Sequence, residues 1–151
     1  MEEIFGYCTL STFVSNKIPM SFKKNKILIV DDEPDVIEFL SYNFKKNGYE
    51  VEGASNGMEG IDKVKSFSPD LIIADIMMPN MDGIIMCKLL KSHELHKNIP
   101  LIFLSATQDE YQAMNAGMAG DDYVSKPIKF SVLLPMVEKH LSFGKLSIEN
   151  V

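Results

Sequence analysis

The chain of 151 residues contains no arginine, and all 15 of its basic residues are lysines. Its 21 acidic residues outnumber them and give a formal net charge of -6 at pH 7. A protein that binds a nucleic-acid duplex needs a basic face, and arginine is the side chain that contacts guanine with two hydrogen bonds. The composition therefore argues against nucleic acid as a partner of this chain.

Cysteine is scarce, and long apolar runs are missing. Cys8 lies in an irregular leader and Cys87 within a predicted helix, so a disulfide framework is not expected. No apolar run approaches the roughly 18 residues of a membrane span, and the start Met1-Glu2-Glu3 is acidic where a signal peptide is basic. We expect a soluble cytoplasmic protein that does not contact a membrane.

Length and composition fit one globular domain with a substantial core, since 46% of the residues are hydrophobic and 24% are charged. Residues 1–25 show no sustained periodicity, and we interpret them as an irregular or non-native N-terminal extension, because Met20 is an ordinary start. The domain is expected at residues 26–142, followed by a polar tail at residues 143–151.

From residue 26 onward, five apolar segments of strand length alternate with segments of helical periodicity. This alternation predicts βαβ units and a parallel sheet, and hence a doubly wound α/β fold. Continuous apolar runs indicate that strands one, three and four are central, whereas the alternation of strand two indicates an edge. The strands are expected near residues 26–31, 49–52, 71–75, 101–104 and 123–125. The helices are expected from Pro34, Asn56, Asp82 and about Asp109, and around Leu133, Val137 and Leu141.

Three carboxylates are expected at the carboxyl edge of this sheet. Asp31 and Asp32 follow the apolar run of residues 27–30, and Asp75 follows that of residues 71–74. Open α/β sheets bind ligands at this edge, where unit charges about 4 Å apart repel by about 4 kcal/mol. Such a cluster holds a hard divalent cation, shifts a pKa, or does both. The pattern predicts a metal-dependent acidic pocket.

Two more strand ends carry polar residues, Ser105 after the fourth strand and Lys126-Pro127 after the fifth. With the three aspartates and the loop of residues 75–83, this set resembles the response-regulator receiver domain of two-component signalling, a superfamily that includes the chemotaxis regulators. The resemblance covers residues 26–142. It implies a flavodoxin-like fold, a sheet of order 2-1-3-4-5 with helices on both faces.

The resemblance also implies the chemistry of the pocket. Asp75 would accept a phosphoryl group from a histidine kinase or a histidine phosphotransfer protein. Mg²⁺, or Mn²⁺, would bind Asp31, Asp32, Asp75 and the backbone carbonyl of Met77 in an oxygen-rich shell. Lys126 would supply a compact positive charge to a phosphoryl oxygen. The chain would be a phosphoacceptor in signalling rather than an enzyme.

A two-state switch is implied by the same resemblance. The hydroxyl of Ser105 would move to the phosphoryl group, and the ring of Tyr123 would turn into the space it leaves. This changes a face formed by the fourth predicted helix, the fifth strand and the last helix, where a downstream protein would bind. We expect a monomer, or a weak dimer that forms on phosphorylation. The interval from Ser105 to Lys126 is one residue shorter than the family resemblance leads us to expect. Pro135 falls in or just after the first turn of the last helix.

Other interpretations stay open. The chain is expected to act through a partner, or to be the receiver portion of a longer hybrid kinase or regulator. A phosphatase of the haloacid-dehalogenase type would show an Asp-x-Asp pattern where Asp31-Asp32-Glu33 stands. A flavin carrier would need a Ser/Thr/Gly-rich phosphate loop at that acidic position. His93 and His96 are interpreted as an exposed helix end, because no third ligand is near in sequence. Asp121 and Asp122 are interpreted as solvated turn charges.

The lifetime of the phosphorylated form can be tested. The resemblance implies that Met77 and Thr107 flank the water that hydrolyses the acyl phosphate. A thioether and a short hydroxyl orient that water less well than a carboxamide and a carboxylate would. Radiolabel in Mg²⁺ should therefore be lost more slowly from the unchanged protein than from a Met77→Asn, Thr107→Glu double variant. Equal or slower decay of the variant would show that water access is controlled elsewhere.

Overall fold

Strands and helices alternate along the chain, as its hydrophobic pattern predicts. The computed structural model describes residues 23–106 and 120–149. Within them the strands are β1 Lys26–Val30, β2 Glu50–Ala54, β3 Leu71–Asp75, β4 Leu101–Ser105 and β5 Asp122–Ser125. The helices are α1 Pro34–Lys46, α2 Gly57–Phe67, α3 Gly83–Lys91 and α4 Phe130–Glu149. The helix expected from about Asp109 lies outside the described residues.

The five strands form one parallel sheet of order β2-β1-β3-β4-β5. This confirms the doubly wound α/β fold and its 2-1-3-4-5 order. All residues of β3 and β4 are buried, as expected of central strands, and β2 is an edge strand with Glu50 exposed. The register pairs Val30 with Ala74, and Asp75 with Leu104. The carboxyl ends of the three central strands therefore meet at one edge.

Successive side chains of a strand point to opposite faces, so this sheet carries a core on each side. Leu28, Val30 and Ile72 pack under α2 and α3 in one buried cluster. Ile27, Ile29 and Ile73 belong to a second buried cluster, which α1 and α4 cover. The rings of Phe44 and Phe130 meet edge-on in that second layer, with their centroids 4.8 Å apart. These two layers fix the sheet and the loops at its edge.

Helix starts follow the local sequence signals. Pro34 lies in the first turn of α1, where its missing N–H costs nothing. The side chain of Asn56 caps α2 by accepting from the Glu59 amide at 2.9 Å, and that of Asp82 caps α3 by accepting from the Ile85 amide at 2.8 Å. The predicted starts of these three helices are confirmed.

Helix α4 differs in its limits from the expectation. It begins at Phe130, so Pro135 lies inside the helix, beyond its first turn. The helix continues to Glu149, past residue 142, where the sequence pattern placed the start of a polar tail. The division into extension, domain and tail stays a prediction. Among the described residues, no helix combines the length and apolarity that crossing a membrane requires.

Gly83 allows α3 to begin directly against the end of β3. Its N–H donates to the carbonyl of Ile76 at 2.8 Å. A Cβ atom at this position would collide with the carbonyl oxygen of Asp75, which is backbone and cannot turn aside. The loop of residues 76–82 is thereby closed onto the edge that carries Asp75.

Gly83→Ala should lower the free energy of unfolding, because either the loop or β3 must shift to admit the methyl group. We expect a loss of about 1–3 kcal/mol in urea denaturation. Gly60→Ala is the matched control: its methyl group would meet the side chains of Met86 and Val30 rather than backbone, and the gain in helix propensity of about 1 kcal/mol opposes this crowding. Equal losses for the two variants would contradict the backbone collision.

Candidate functional site

The three predicted carboxylates do come together at the carboxyl edge. Asp31 directly follows β1 and Asp75 ends the neighbouring strand β3. One carboxylate oxygen from each of Asp31, Asp32 and Asp75 lies within 4.8 Å of the others. Asp31 and Asp75 are buried, whereas Asp32 is exposed. Two of the charges are therefore removed from water.

Backbone geometry holds the Asp31 side chain inward. Its N–H donates to the carbonyl of Ala54 at 3.0 Å, which continues the pairing with β2. Its Oδ1 atom accepts from the amide of Glu33 at 2.9 Å. Burial raises the pKa of Asp31, and the Glu33 amide and the Lys126 charge only partly oppose this.

Lys126 supplies the positive charge at this cluster. The residue follows β5, where its N–H donates to the carbonyl of Ser105 at 2.7 Å, and the Lys126-Pro127 peptide bond is cis. Its Nζ lies 3.4 Å from Asp75 Oδ2, 3.3 Å from Asp31 Oδ2 and 3.0 Å from Glu33 Oε1. Burial alone would lower the pKa of Lys126, but the hydrogen bond to Glu33 and the charges of Asp75 and Asp31 raise it. The ammonium therefore stays charged.

The cluster carries more negative charge than Lys126 compensates. Burial, followed by the charge of Asp31, raises the pKa of Asp75 to about 6 against the pull of Lys126. Asp31, Asp32, Asp75 and Glu33 are four carboxylates, and in the described chain Lys126 forms ion pairs with three of them, Asp31, Asp75 and Glu33. Converging carboxylate oxygens with excess charge are the donor set that Mg²⁺ prefers. The residues present fit a divalent cation.

The comparisons with known proteins agree with this geometry. Residues 27–138 match the response regulator receiver domain family. The chain belongs to this family. Receiver domains are phosphoacceptor modules of two-component signal transduction, and the family implies a cognate histidine kinase. The phosphatase and flavin-carrier interpretations are thereby replaced.

One relative of similar sequence is a transcriptional regulator. The chain is 40% identical over 103 residues to the alkaline phosphatase synthesis transcriptional regulatory protein PhoP of Bacillus subtilis, covering 68% of this chain and 42% of that one. The chain thus spans less than half the length of that regulator.

Two solved structures are similar in fold and sequence. One is the signal receiver domain of a signal transduction histidine kinase from Syntrophus aciditrophicus, with a TM-score of 0.72, 36% identity and coverage of 78% and 90%. The other is the response regulator TrrA from Thermotoga maritima in complex with Mg²⁺-BeF, with a TM-score of 0.69, 34% identity and coverage of 77% and 98%.

Three further predicted residues, Ser105, Tyr123 and Met77, are among those that the structure describes. Ser105 is buried at the end of β4, in register with Ser125 of β5. Tyr123 is half-buried and lines an open groove of about 520 Å³ with Val132 of α4 among others. Met77 follows β3 and is 60% exposed. Thr107 lies outside the described residues, and the roles of these side chains stay predictions.

Sequence reasoning missed one member of the site and misjudged two other residues. Glu33 contacts Lys126, although a glutamate beside two aspartates carries no signal of that distant partner. Asp121 and Asp122 were expected to be solvated turn charges. Instead Asp121 accepts from the Leu101 amide at 2.8 Å and from Lys91 at 3.0 Å, and Asp122 lies 3.2 Å from His140. Both tie the ends of β4 and β5 to neighbouring elements.

Other candidate residues stay outside the chemistry. His93 and His96 follow the end of α3 and stack with ring centroids 4.6 Å apart. Among the described residues, one group of three or more His, Cys, Asp or Glu side chains could hold a metal ion. This group is Asp31, Asp32 and Asp75, and it does not include the two histidines. Cys87 is buried in α3, and burial raises the pKa of its thiol to about 11, so it stays protonated.

The raised pKa of Asp75 predicts a pH dependence of stability without divalent cation. The folded protein binds this proton more tightly than the unfolded chain, so stability falls as pH rises through the interval from 3.8 to about 6. This group contributes a loss of at most about 3 kcal/mol. Asp75→Asn has no titrating carboxyl group at this position and should not show this loss. In urea denaturation with chelator, the advantage of Asp75→Asn, which is the excess of its free energy of unfolding over that of the unchanged protein, should grow from about pH 4 to pH 7. An advantage that is constant over this range would contradict the raised pKa.

Proposed function

We propose that this receiver accepts a phosphoryl group on Asp75 from a phosphohistidine, and that the modification switches a protein-binding face. The donor is a histidine kinase or a histidine phosphotransfer protein. Asp31, Asp32, Asp75 and the carbonyl of Met77 are the proposed ligands of Mg²⁺ or Mn²⁺. The supporting observation is the position of Asp75, whose carboxylate lies beside both the Asp31-Asp32 pair and the Lys126 ammonium.

The reaction uses Asp75 as a nucleophile. One carboxylate oxygen forms a bond to phosphorus, the P–N bond to the donor imidazole breaks, and its electron pair returns to the nitrogen, which then takes up a proton. A divalent cation supplies the positive charge that lets an anionic phosphoryl group approach these carboxylates. Lys126 is already 3.4 Å from Asp75 Oδ2 and can donate to a phosphoryl oxygen with little movement.

Burial of Asp75 suits this role. Its side chain is 7% exposed, so only a small part of the carboxylate is open to solvent. Neighbouring exposed carboxylates, such as Asp32, are not held at the end of a central strand opposite Lys126.

Switching would pass from Ser105 to the groove beside β5. The Lys126 amide donates to the Ser105 carbonyl, so this hydrogen bond links the ends of β4 and β5. Tyr123, Val132 and Met136 line the groove, and a change in the Tyr123 ring would reshape its wall. This is the face that we propose for the downstream protein.

A second interpretation is that this receiver is one part of a longer regulator or hybrid kinase. It is favoured by the matched proteins themselves: one is a transcriptional regulator of which the chain covers 42%, and another is the receiver domain of a histidine kinase. In that case the groove beside β5 would contact a domain of the same polypeptide. The open reading frame around this sequence distinguishes the two.

Radiolabel from acetyl phosphate or a phosphorylated kinase should enter the protein at Asp75 and require Mg²⁺. Asp75→Asn should abolish labelling, and Asp32→Asn should remove most of it by weakening cation binding. Asp82→Asn is the matched control, because it makes the same chemical change seven residues away and asparagine caps a helix as well as aspartate does. An equally labelled Asp75→Asn, or a label stable to acid, would contradict the assignment.

A further inference from the structure

Glu33 stands at a helix start where its side chain does not serve the helix. It occupies the N-cap position of α1 with an extended backbone and makes no side-chain cap hydrogen bond. Short side chains are preferred at this position because they reach the first free amides. Helices α2 and α3 follow this preference with Asn56 and Asp82. The longer side chain of Glu33 is directed elsewhere.

That side chain is bound to Lys126, 93 residues further along the chain. The Glu33 Oε1 atom lies 3.0 Å from Lys126 Nζ, closer than the carboxylate oxygens of Asp31 and Asp75 at 3.3 and 3.4 Å. Glu33 is 61% exposed and Lys126 18% exposed, whereas Asp31 is fully buried. The ammonium is therefore held between the floor of the site and a carboxylate at its mouth.

An ammonium has three N–H donors, and three carboxylates contact this one. Two of these contacts, to Glu33 and Asp31, are hydrogen bonds, so a phosphoryl oxygen on Asp75 would have to share the ammonium with them. Asp31 and Asp75 are members of the cluster that could hold a cation, and Glu33 is not. Cation binding thus compensates two of the competitors and leaves the contact with Glu33 in place.

We propose that Glu33 is a positioning residue that competes with the phosphoryl group for Lys126 and so weakens phosphoryl binding at Asp75. The inference rests on the proposed function, since it takes Lys126 as the phosphoryl contact. The competition sets how readily the modified state forms, without any contact between Glu33 and the reacting atoms. Removal of the Glu33 charge frees the ammonium to turn toward Asp75.

The size of the effect follows from exposure. An ion pair that is open to solvent on one side is worth at most about 1 kcal/mol, which corresponds to a change in affinity of about two- to fivefold. Glu33→Gln keeps the length of the side chain and removes the charge. Asp35→Asn is the matched control: it removes the same charge from an exposed residue in the first turn of α1 that does not contact Lys126.

The test is a titration with beryllofluoride in saturating Mg²⁺, followed by amide chemical shifts. Beryllofluoride is the phosphoryl mimic present in the TrrA structure. Glu33→Gln should lower the half-saturating concentration about two- to fivefold relative to the unchanged protein, and Asp35→Asn should leave it within error. In a Lys126→Gln background, Glu33→Gln should have no effect, because the competition has been removed.

Each outcome bears on a different claim. If the unchanged protein does not bind beryllofluoride, the proposed function fails, and this inference fails with it. If it binds but Glu33→Gln matches it, or if Asp35→Asn gives the same gain, only the role of Glu33 is overturned. A gain that persists without Lys126 would likewise show that Glu33 acts through general charge or helix stability rather than through the lysine.

Discussion

The Lys126 ammonium among the carboxylates at the sheet edge is the interaction on which the site depends. Burial of Asp31 and Asp75 is unfavourable for their charged forms, and both pKa values are raised despite the lysine. One ammonium within 3.4 Å of three carboxylates keeps this arrangement together but does not neutralise it. The folded receiver therefore holds an excess of negative charge that a divalent cation would compensate.

The strands, the two apolar layers and Gly83 position the residues of this edge. The parallel register brings the ends of β1, β3, β4 and β5 side by side, and the two apolar layers prevent them from sliding. Gly83 then allows α3 to close the loop against Asp75. At the opposite edge, where β4 and β5 begin, Asp121 accepts from the Leu101 amide of β4 and Asp122 contacts His140 of α4. Burial of the two apolar layers therefore stabilises the fold, whereas the carboxylates at the sheet edge repel one another.

Two parts of the receiver have different relations to known proteins. The chemistry of the acidic edge is shared, because the chain belongs to a family of phosphoacceptor signalling modules. The groove beside β5 is the proposed output face, and the matched relatives include both a transcriptional regulator and a kinase receiver. Identity of the phosphorylation chemistry therefore does not determine the partner. The sequence around Tyr123, Val132 and Met136 is where that specificity would be encoded.

By itself the sequence determined the alternation of strands and helices, the edge position of β2, the starts of α1, α2 and α3, and the strand-end aspartates, because each is a local pattern of burial or capping. Tertiary structure decided the rest. Only folding brings Glu33 to Lys126 across 93 residues, since a charge pair of this kind leaves no periodic signal. The same holds for Asp121 and Asp122, whose partners are set by packing rather than by neighbours in sequence. The end of α4 likewise depended on structure, because a polar, lysine-containing segment is compatible with both a helix and a tail.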